Sequence, residues 1–79
     1  MNEKGSSADN PNETLGEALP KEITRVRDEV LPLYDAIGSP GIFAATMMRQ
    51  SLDAASKAMI EGDLPAMIRC YEDLKGYSA

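Results

Sequence analysis

The fold is decided by residues 40–75, PGIFAATMMRQSLDAASKAMIEGDLPAMIRCYEDLK. Apolar residues recur in this stretch at alternating spacings of three and four. Their positions are Ala45, Met48, Leu52, Ala55, Met59, Leu64, Met67, Tyr71 and Leu74. Because an α-helix has about 3.6 residues per turn, such a series forms an apolar seam along one side of a helix. The pattern therefore predicts two helices, over about 40–61 and 64–75.

Residues that end or begin helices separate the two seams. Gly62 is suited to terminate the helix before it, and Asp63 is suited to cap the helix after it. Since this link is so short, the two helices must fold back as an antiparallel hairpin. The preceding turn is GSPG, residues 38–41, where we expect Ser39 to cap the next helix and Pro40 to occupy its first position.

A third seam precedes this turn and contains a proline. Its members are Leu19, Ile23, Val26, Val30, Leu33 and Ile37. The seam predicts a helix over about 20–37, with Pro20 at its first position. Pro32 removes one helical hydrogen bond and crowds the carbonyl group of Asp28. Because the seam keeps its phase across Pro32, we expect one kinked helix; two short helices are the alternative.

These helices define an all-α, three-helix domain over 19–79, preceded by a tail over 1–18. Gly, Ser, Asn, Asp and Pro dominate the tail, and Leu15 is its one large aliphatic residue. Such a segment buries too little apolar surface to offset its ordering entropy. We expect a disordered acidic and polar tail; a recognition arm anchored by Leu15 and Leu19 is the alternative.

The charge distribution argues against whole classes of partner. The net charge is −5 over 79 residues, with −3 in residues 1–19 and −2 in residues 20–79. Neither part has the basic stripe that phosphate binding needs, so we expect no contact with nucleic acid or with anionic membranes. No apolar run approaches the ~20 residues of a membrane span. A single cysteine and the lack of an apolar leader lead us to expect a cytoplasmic protein.

The sequence offers little material for catalysis. It contains no histidine, so the usual general base and an ordinary histidine–cysteine zinc site are both missing. Cys70 is the one cysteine, and on an amphipathic helix it is best read as a small packing residue. The acidic pairs at 28–29 and 72–73 are adjacent in sequence, so they point about 100° apart on a helix. We expect no enzyme and no catalytic, cofactor-binding or metal-binding residues.

The remaining signal concerns interaction. The seams are rich in Ala and Met, and a domain of about 60 residues is marginally stable by itself, so we expect self-association as a homodimer or larger. The helix over 40–61 carries more apolar residues than one seam can bury. The expected contact residues for an unknown protein partner or a second copy are Ile42, Phe43, Met47, Met48, Leu52 and Ile60. The alternative is an acidic inhibitor that binds a basic, nucleic-acid-binding partner.

Overall fold

A computed structural model describes residues 13–78 of the protein. The regular structure of these residues is entirely helical, which confirms the predicted all-α class. The segments in chain order are α1 (Leu15–Arg25), a π-helical turn (Val26–Val30), α2 (Leu31–Ile37), a 3₁₀ turn (Ser39–Gly41), α3 (Ile42–Glu61) and α4 (Leu64–Lys75). Because α1, the π-helical turn and α2 follow one another without interruption, they make up the first of the three helices that the seams predict.

The first helix begins at Leu15, five residues before the predicted start. The Thr14 backbone N–H donates to the Glu17 carboxylate over 2.9 Å, so the two residues form a capping box. Pro20 consequently lies inside α1 rather than at its first position. Residues 1–12 of the predicted tail lie outside the described residues, whereas residues 15–18 belong to α1.

The π-helical turn lies directly before Pro32. The backbone N–H of Leu31 bonds to the carbonyl of Val26, five residues back rather than four. A wider turn relieves the crowding that a proline ring imposes on the preceding carbonyl groups of a regular α-helix. The prediction that the helix continues through Pro32 is therefore confirmed. One additional residue in the turn before Pro32 accommodates the proline within the helix.

The core lies where the three helices meet. Its largest fully buried side chains are Leu19, Val26, Val30, Met48 and Leu74, which come from the first helix, α3 and α4. Burying a side chain of this size stabilises the fold by roughly 1.5–3 kcal/mol. The other buried residues of the cluster are Leu31, Ala45, Ala55, Ala58, Met67 and Cys70.

A polar contact joins the first helix to α4. The Arg25 Nη2 atom donates to the backbone carbonyl of Leu74 over 2.9 Å and to Glu22 Oε1 over 3.0 Å. Leu74 is in the last turn of α4, and its carbonyl also accepts from the Tyr77 backbone N–H over 3.1 Å, so the guanidinium group is a second donor to this carbonyl. This contact accounts for the burial of Glu22, whose charge is balanced by Arg25.

The two connections between helices differ in how closely they follow the prediction. Gly62 has φ 67° and ψ 28°, the left-handed conformation that glycine adopts without strain. The Asp63 carboxylate accepts a hydrogen bond from the Ala66 backbone N–H over 3.2 Å, as expected of a cap. Ser39, in contrast, makes no capping bond, because the 3₁₀ turn intervenes and α3 begins at Ile42 rather than Pro40.

Candidate interaction surface

The large apolar side chains exposed on the described residues fall into two groups, and each flanks one connection. We name them the α2–α3 end and the α3–α4 end. The α2–α3 end consists of Leu33, Ile37, Ile42, Phe43 and Met47, and the α3–α4 end consists of Ile60, Leu64 and Ile68. Since α3 has 20 residues, its two ends lie about 30 Å apart. The two groups are therefore separate surfaces.

The α2–α3 end is built from two helix edges held close by a tight turn. Leu33 and Ile37 lie one helical turn apart on α2, and Phe43 and Met47 lie one turn apart on α3. Phe43 is 77% exposed, although aromatic side chains of this size normally contribute strongly to burial. These four side chains and Ile42 thus concentrate exposed apolar surface on both sides of one connection.

Gly41 determines how closely the α2–α3 connection approaches α2. It is buried, and a Cβ atom added there would overlap with the backbone carbonyl of Tyr34. Its φ of −93° is ordinary, so glycine is needed here for space and not for conformation. The first turn of α3 is therefore held against the backbone of α2.

An ion pair links α2 to α3. Arg49 Nη2 donates to Asp35 Oδ2 over 2.6 Å, and the two side chains are 54% and 44% exposed. Asp35 is two residues from both Leu33 and Ile37, so it lies on the opposite side of α2 from them, while Arg49 lies two helical turns from Ile42 on the same side of α3. Residues 31–50 contain no other acidic or basic residue, so this part of the chain is neutral.

The α3–α4 end has a different electrostatic character. Ile60 is 87% exposed, and Leu64 follows it across the Gly62–Asp63 link. Between these two apolar residues the chain carries two exposed acidic residues, Glu61 and Asp63, and no basic one. The apolar side chains of this end are therefore interleaved with negative charge.

The predicted contact residues are divided between surface and core. Ile42, Phe43 and Ile60 are well exposed, and Met47 is 41% exposed. The other two are not, since Met48 is 1% exposed and belongs to the core, and Leu52 is partly buried against it. Met48 is consequently a structural residue of the single chain and not a surface contact.

Sequence reasoning missed four exposed apolar residues, Leu33, Ile37, Leu64 and Ile68. It assigned the first two to the seam of the first helix. The π-helical turn adds one residue to a helical turn, so the positions that follow it rotate by about 100°. Leu31 is buried as a result, whereas Leu33 and Ile37 point outward. Pro32 was the signal that the phase of this seam could change.

The one cysteine of the chain, Cys70, is buried. Burial raises the pKa of the Cys70 thiol, with a further increase from the nearby Asp73 carboxylate, so the thiolate is disfavoured at neutral pH. The described residues contain no group of three or more acidic, histidine or cysteine side chains that could hold a metal ion.

A groove runs along the outside of the first helix. It has a volume of about 330 Å³ and is lined by Pro20, Lys21, Thr24, Arg25 and Glu29. Its two cations are already paired, Lys21 with Glu13 and Arg25 with Glu22. Neither cation of the groove is therefore free to bind an anionic ligand, and the apolar ends are the stronger candidate sites.

No protein-family model, curated protein or solved structure matches this chain. Among residues 13–78, no helix is both long and apolar enough to cross a membrane. The two apolar ends are the most distinctive surfaces of the described residues.

Proposed function

We propose that this protein is a small helical protein–protein interaction module that self-associates and has a regulatory or structural role. The observation that carries the proposal is the concentration of exposed large apolar side chains at the α2–α3 end, with Phe43 most exposed among them. Contiguous apolar patches on soluble domains mark sites of association, and aromatic residues are enriched in the centres of such interfaces.

The composition of the core supports the same proposal. Much of the buried cluster consists of alanine, with Ala45, Ala55 and Ala58 contributing little apolar area each. Burying the apolar ends against a second chain would add the stabilisation that the small core lacks. We further propose that α3 and α4 act as an antiparallel hairpin that displays the two ends apart, and that the protein works in the cytoplasm.

Sedimentation equilibrium of the full chain tests the proposal. We expect the wild-type protein to exceed the monomer mass at micromolar concentration, because the apolar end is buried by association. Phe43→Glu should shift the mass to that of the monomer with unchanged helicity, since it places a charge in the apolar patch. Ala54→Glu is the matched control, because Ala54 is also exposed on α3 but lies about two helical turns beyond Met47, outside both apolar ends.

Two results would contradict the proposal. One is a wild-type protein that remains monomeric from micromolar to near-millimolar concentration while well folded. The other is an equal loss of association in Phe43→Glu and Ala54→Glu, since added negative charge alone would then account for the effect.

A second candidate function is an acidic inhibitor of a basic, nucleic-acid-binding protein, and the net charge of −5 favours it. The ion pairs of the first helix weaken it, because Glu22 and Asp28 are already paired with Arg25 and Arg27. Ionic strength separates the two functions. Acidic mimicry weakens steeply as salt rises, whereas association through apolar residues does not.

A further inference from the structure

We propose that α2 has a second register, and that Pro32 selects the register that exposes Leu33 and Ile37. In the observed register a π-helical turn precedes α2. In the second, which we call the regular register, that turn is α-helical and α2 is rotated by about 100°. The inference rests on the proposed self-association and specifies how it is switched, because Leu33 and Ile37 belong to the α2–α3 end.

The seam of the first helix supports the regular register. From Leu19 to Ile37 its apolar residues are spaced by four, three, four, three and four, which is the period of an uninterrupted α-helix. Leu19, Val26 and Val30 follow this period and are at most 1% exposed. Leu33 and Ile37 continue the same series but are 50% and 56% exposed. The sequence is therefore patterned for a phase that α2 does not adopt.

A second set of apolar residues on α2 serves the observed register. Leu31 is buried, and Tyr34, one turn further on, is partly buried against the core. These two positions are shifted by one residue from Val30 and Leu33 of the seam. In the regular register Leu33 would take the place of Tyr34, and Leu31 would turn toward solvent. Each register thus buries the apolar residues on one side of α2 and exposes those on the other.

Two polar contacts hold α2 in the observed register. The Tyr34 hydroxyl donates to the backbone carbonyl of Ser78 over 3.2 Å. Arg49 Nη2 donates to Asp35 Oδ2 over 2.6 Å. A shift by one residue would put Tyr34 where Asp35 is, so both contacts would be lost. Since contacts between exposed groups contribute little to stability, they bias the choice of register and do not decide it alone.

Pro32 is the residue that decides between the registers. In a regular α-helix its ring would crowd the carbonyl group of Asp28, and its missing N–H would leave that carbonyl without a helical donor. The π-helical turn removes this crowding, so Pro32 opposes the regular register while the seam favours it. A second copy that contacts Leu33 and Ile37 binds only the observed register, so association and Pro32 act in the same direction.

The connection between α2 and α3 can accept the change of register. The residue that leaves the π-helical turn would enter this connection, whose residues 38–41 include two glycines. Surface connections tolerate added residues at little cost in closure entropy. α3 and α4 can therefore keep their places while α2 rotates.

Thiol labelling of the full chain tests the two registers. Leu33→Cys and Leu31→Cys are each introduced into a Cys70→Ala background, which removes the natural thiol. The thiol at position 33 should react quickly with an aromatic disulfide reagent, and the thiol at position 31 slowly. Adding Pro32→Ala should slow the first reaction and speed the second, each by about fivefold or more, because thiol reactivity follows exposure.

Pro20→Ala is the matched control, since Pro20 also lies inside the first helix but within the regular part of α1. It should leave both labelling rates unchanged. Faster labelling at both positions in Pro32→Ala would indicate a loosened fold instead of a rotation, and unchanged rates would indicate a single register. Either result would overturn the inference.

Sedimentation equilibrium of Pro32→Ala, without the cysteine substitutions, tests the link to association. We expect the Kd for self-association to rise about fivefold or more, because the chain then covers Leu33 and Ile37 itself. An unchanged Kd together with opposite changes in labelling would overturn the role of the register in association. A wild type that stays monomeric would contradict the proposed self-association, whereas opposite changes in labelling would still support two registers.

Discussion

The chain reverses direction at both ends of α3, next to exposed apolar residues, but different residues make the two reversals. At the α3–α4 end, the left-handed backbone of Gly62 and the Asp63 cap make the reversal. At the α2–α3 end, Gly41 fits against the Tyr34 carbonyl, and a 3₁₀ turn takes the place of a side-chain cap. The α3–α4 connection depends on local conformation, whereas the α2–α3 connection needs both the positive φ of 83° at Gly38 and the close approach of Gly41 to α2.

This difference extends to the surfaces beside the connections. The α3–α4 end is interleaved with acidic residues, whereas residues 31–50 around the α2–α3 end have no net charge. A connection that needs tertiary contact is thus next to the surface through which we propose self-association. The comparison predicts that substitutions at the α2–α3 end affect stability and association more strongly than those at the α3–α4 end.

The largest expected effect is a difference in stability between substitutions of two adjacent residues of α3. Met48 lies in the core, and Met47 lies at the α2–α3 end. Met48→Ala should lower the free energy of unfolding by about 2–5 kcal/mol, because it leaves a cavity among fully buried side chains. Met47→Ala should lower it by no more than about 0.5 kcal/mol, since Met47 is partly exposed. Urea denaturation in a Phe43→Glu background measures both without a contribution from association.

If Met48→Ala and Met47→Ala lowered the free energy of unfolding equally, the assignment of Met48 to the core and Met47 to the surface would be contradicted. Met47→Ala in the wild-type background should instead weaken association, which sedimentation measures separately. Met48→Ala therefore reports on the stability of the fold, and Met47→Ala reports on association.

The second prediction concerns the close approach at Gly41. Gly41→Ala should lower the free energy of unfolding by roughly 2–3 kcal/mol, because its Cβ atom would overlap with the Tyr34 carbonyl and backbone must move. Gly16→Ala is the matched control, since Gly16 lies exposed in α1 with its nearest neighbour 3.9 Å from an added Cβ. That control should gain about 0.5–1 kcal/mol through the helix preference of alanine. A neutral Gly41→Ala would contradict the structure of this connection.

The same contrast explains how much of the fold the sequence could predict. The helices, the Gly62 terminator and the Asp63 cap depend on spacing and local conformation, and each was predicted. The helix start at Thr14 also had a local signal, since Thr14 and Glu17 have capping-box spacing, but the polar composition around it suggested a tail. These features need no knowledge of tertiary structure.

The surface of the α2–α3 end could be predicted only in part, because a change of helical phase decides it. The sequence shows that Pro32 conflicts with a regular helix, but not whether the chain kinks, breaks or widens. Widening by one residue buries Leu31 and exposes Leu33 and Ile37. The seam includes Met48 and not Met47, which agrees with their burial, but the sequence does not show whether the same chain or a second copy covers Met48.

The smallest expected effect concerns whether alanine or asparagine is the more destabilising substitution. We expect the answer to differ between Gly62 and Gly41. At Gly62 the left-handed φ of 67° disfavours alanine, so Gly62→Ala should lower the free energy of unfolding by about 1 kcal/mol. Gly62→Asn should cost less, because asparagine adopts this conformation more readily and nothing lies within 4 Å of an added Cβ. At Gly41 the order should be opposite, since the larger asparagine side chain worsens the overlap with Tyr34. Thermal or urea unfolding of the four variants measures both orders, and an identical order at the two glycines would show that one mechanism, not two, shapes the connections.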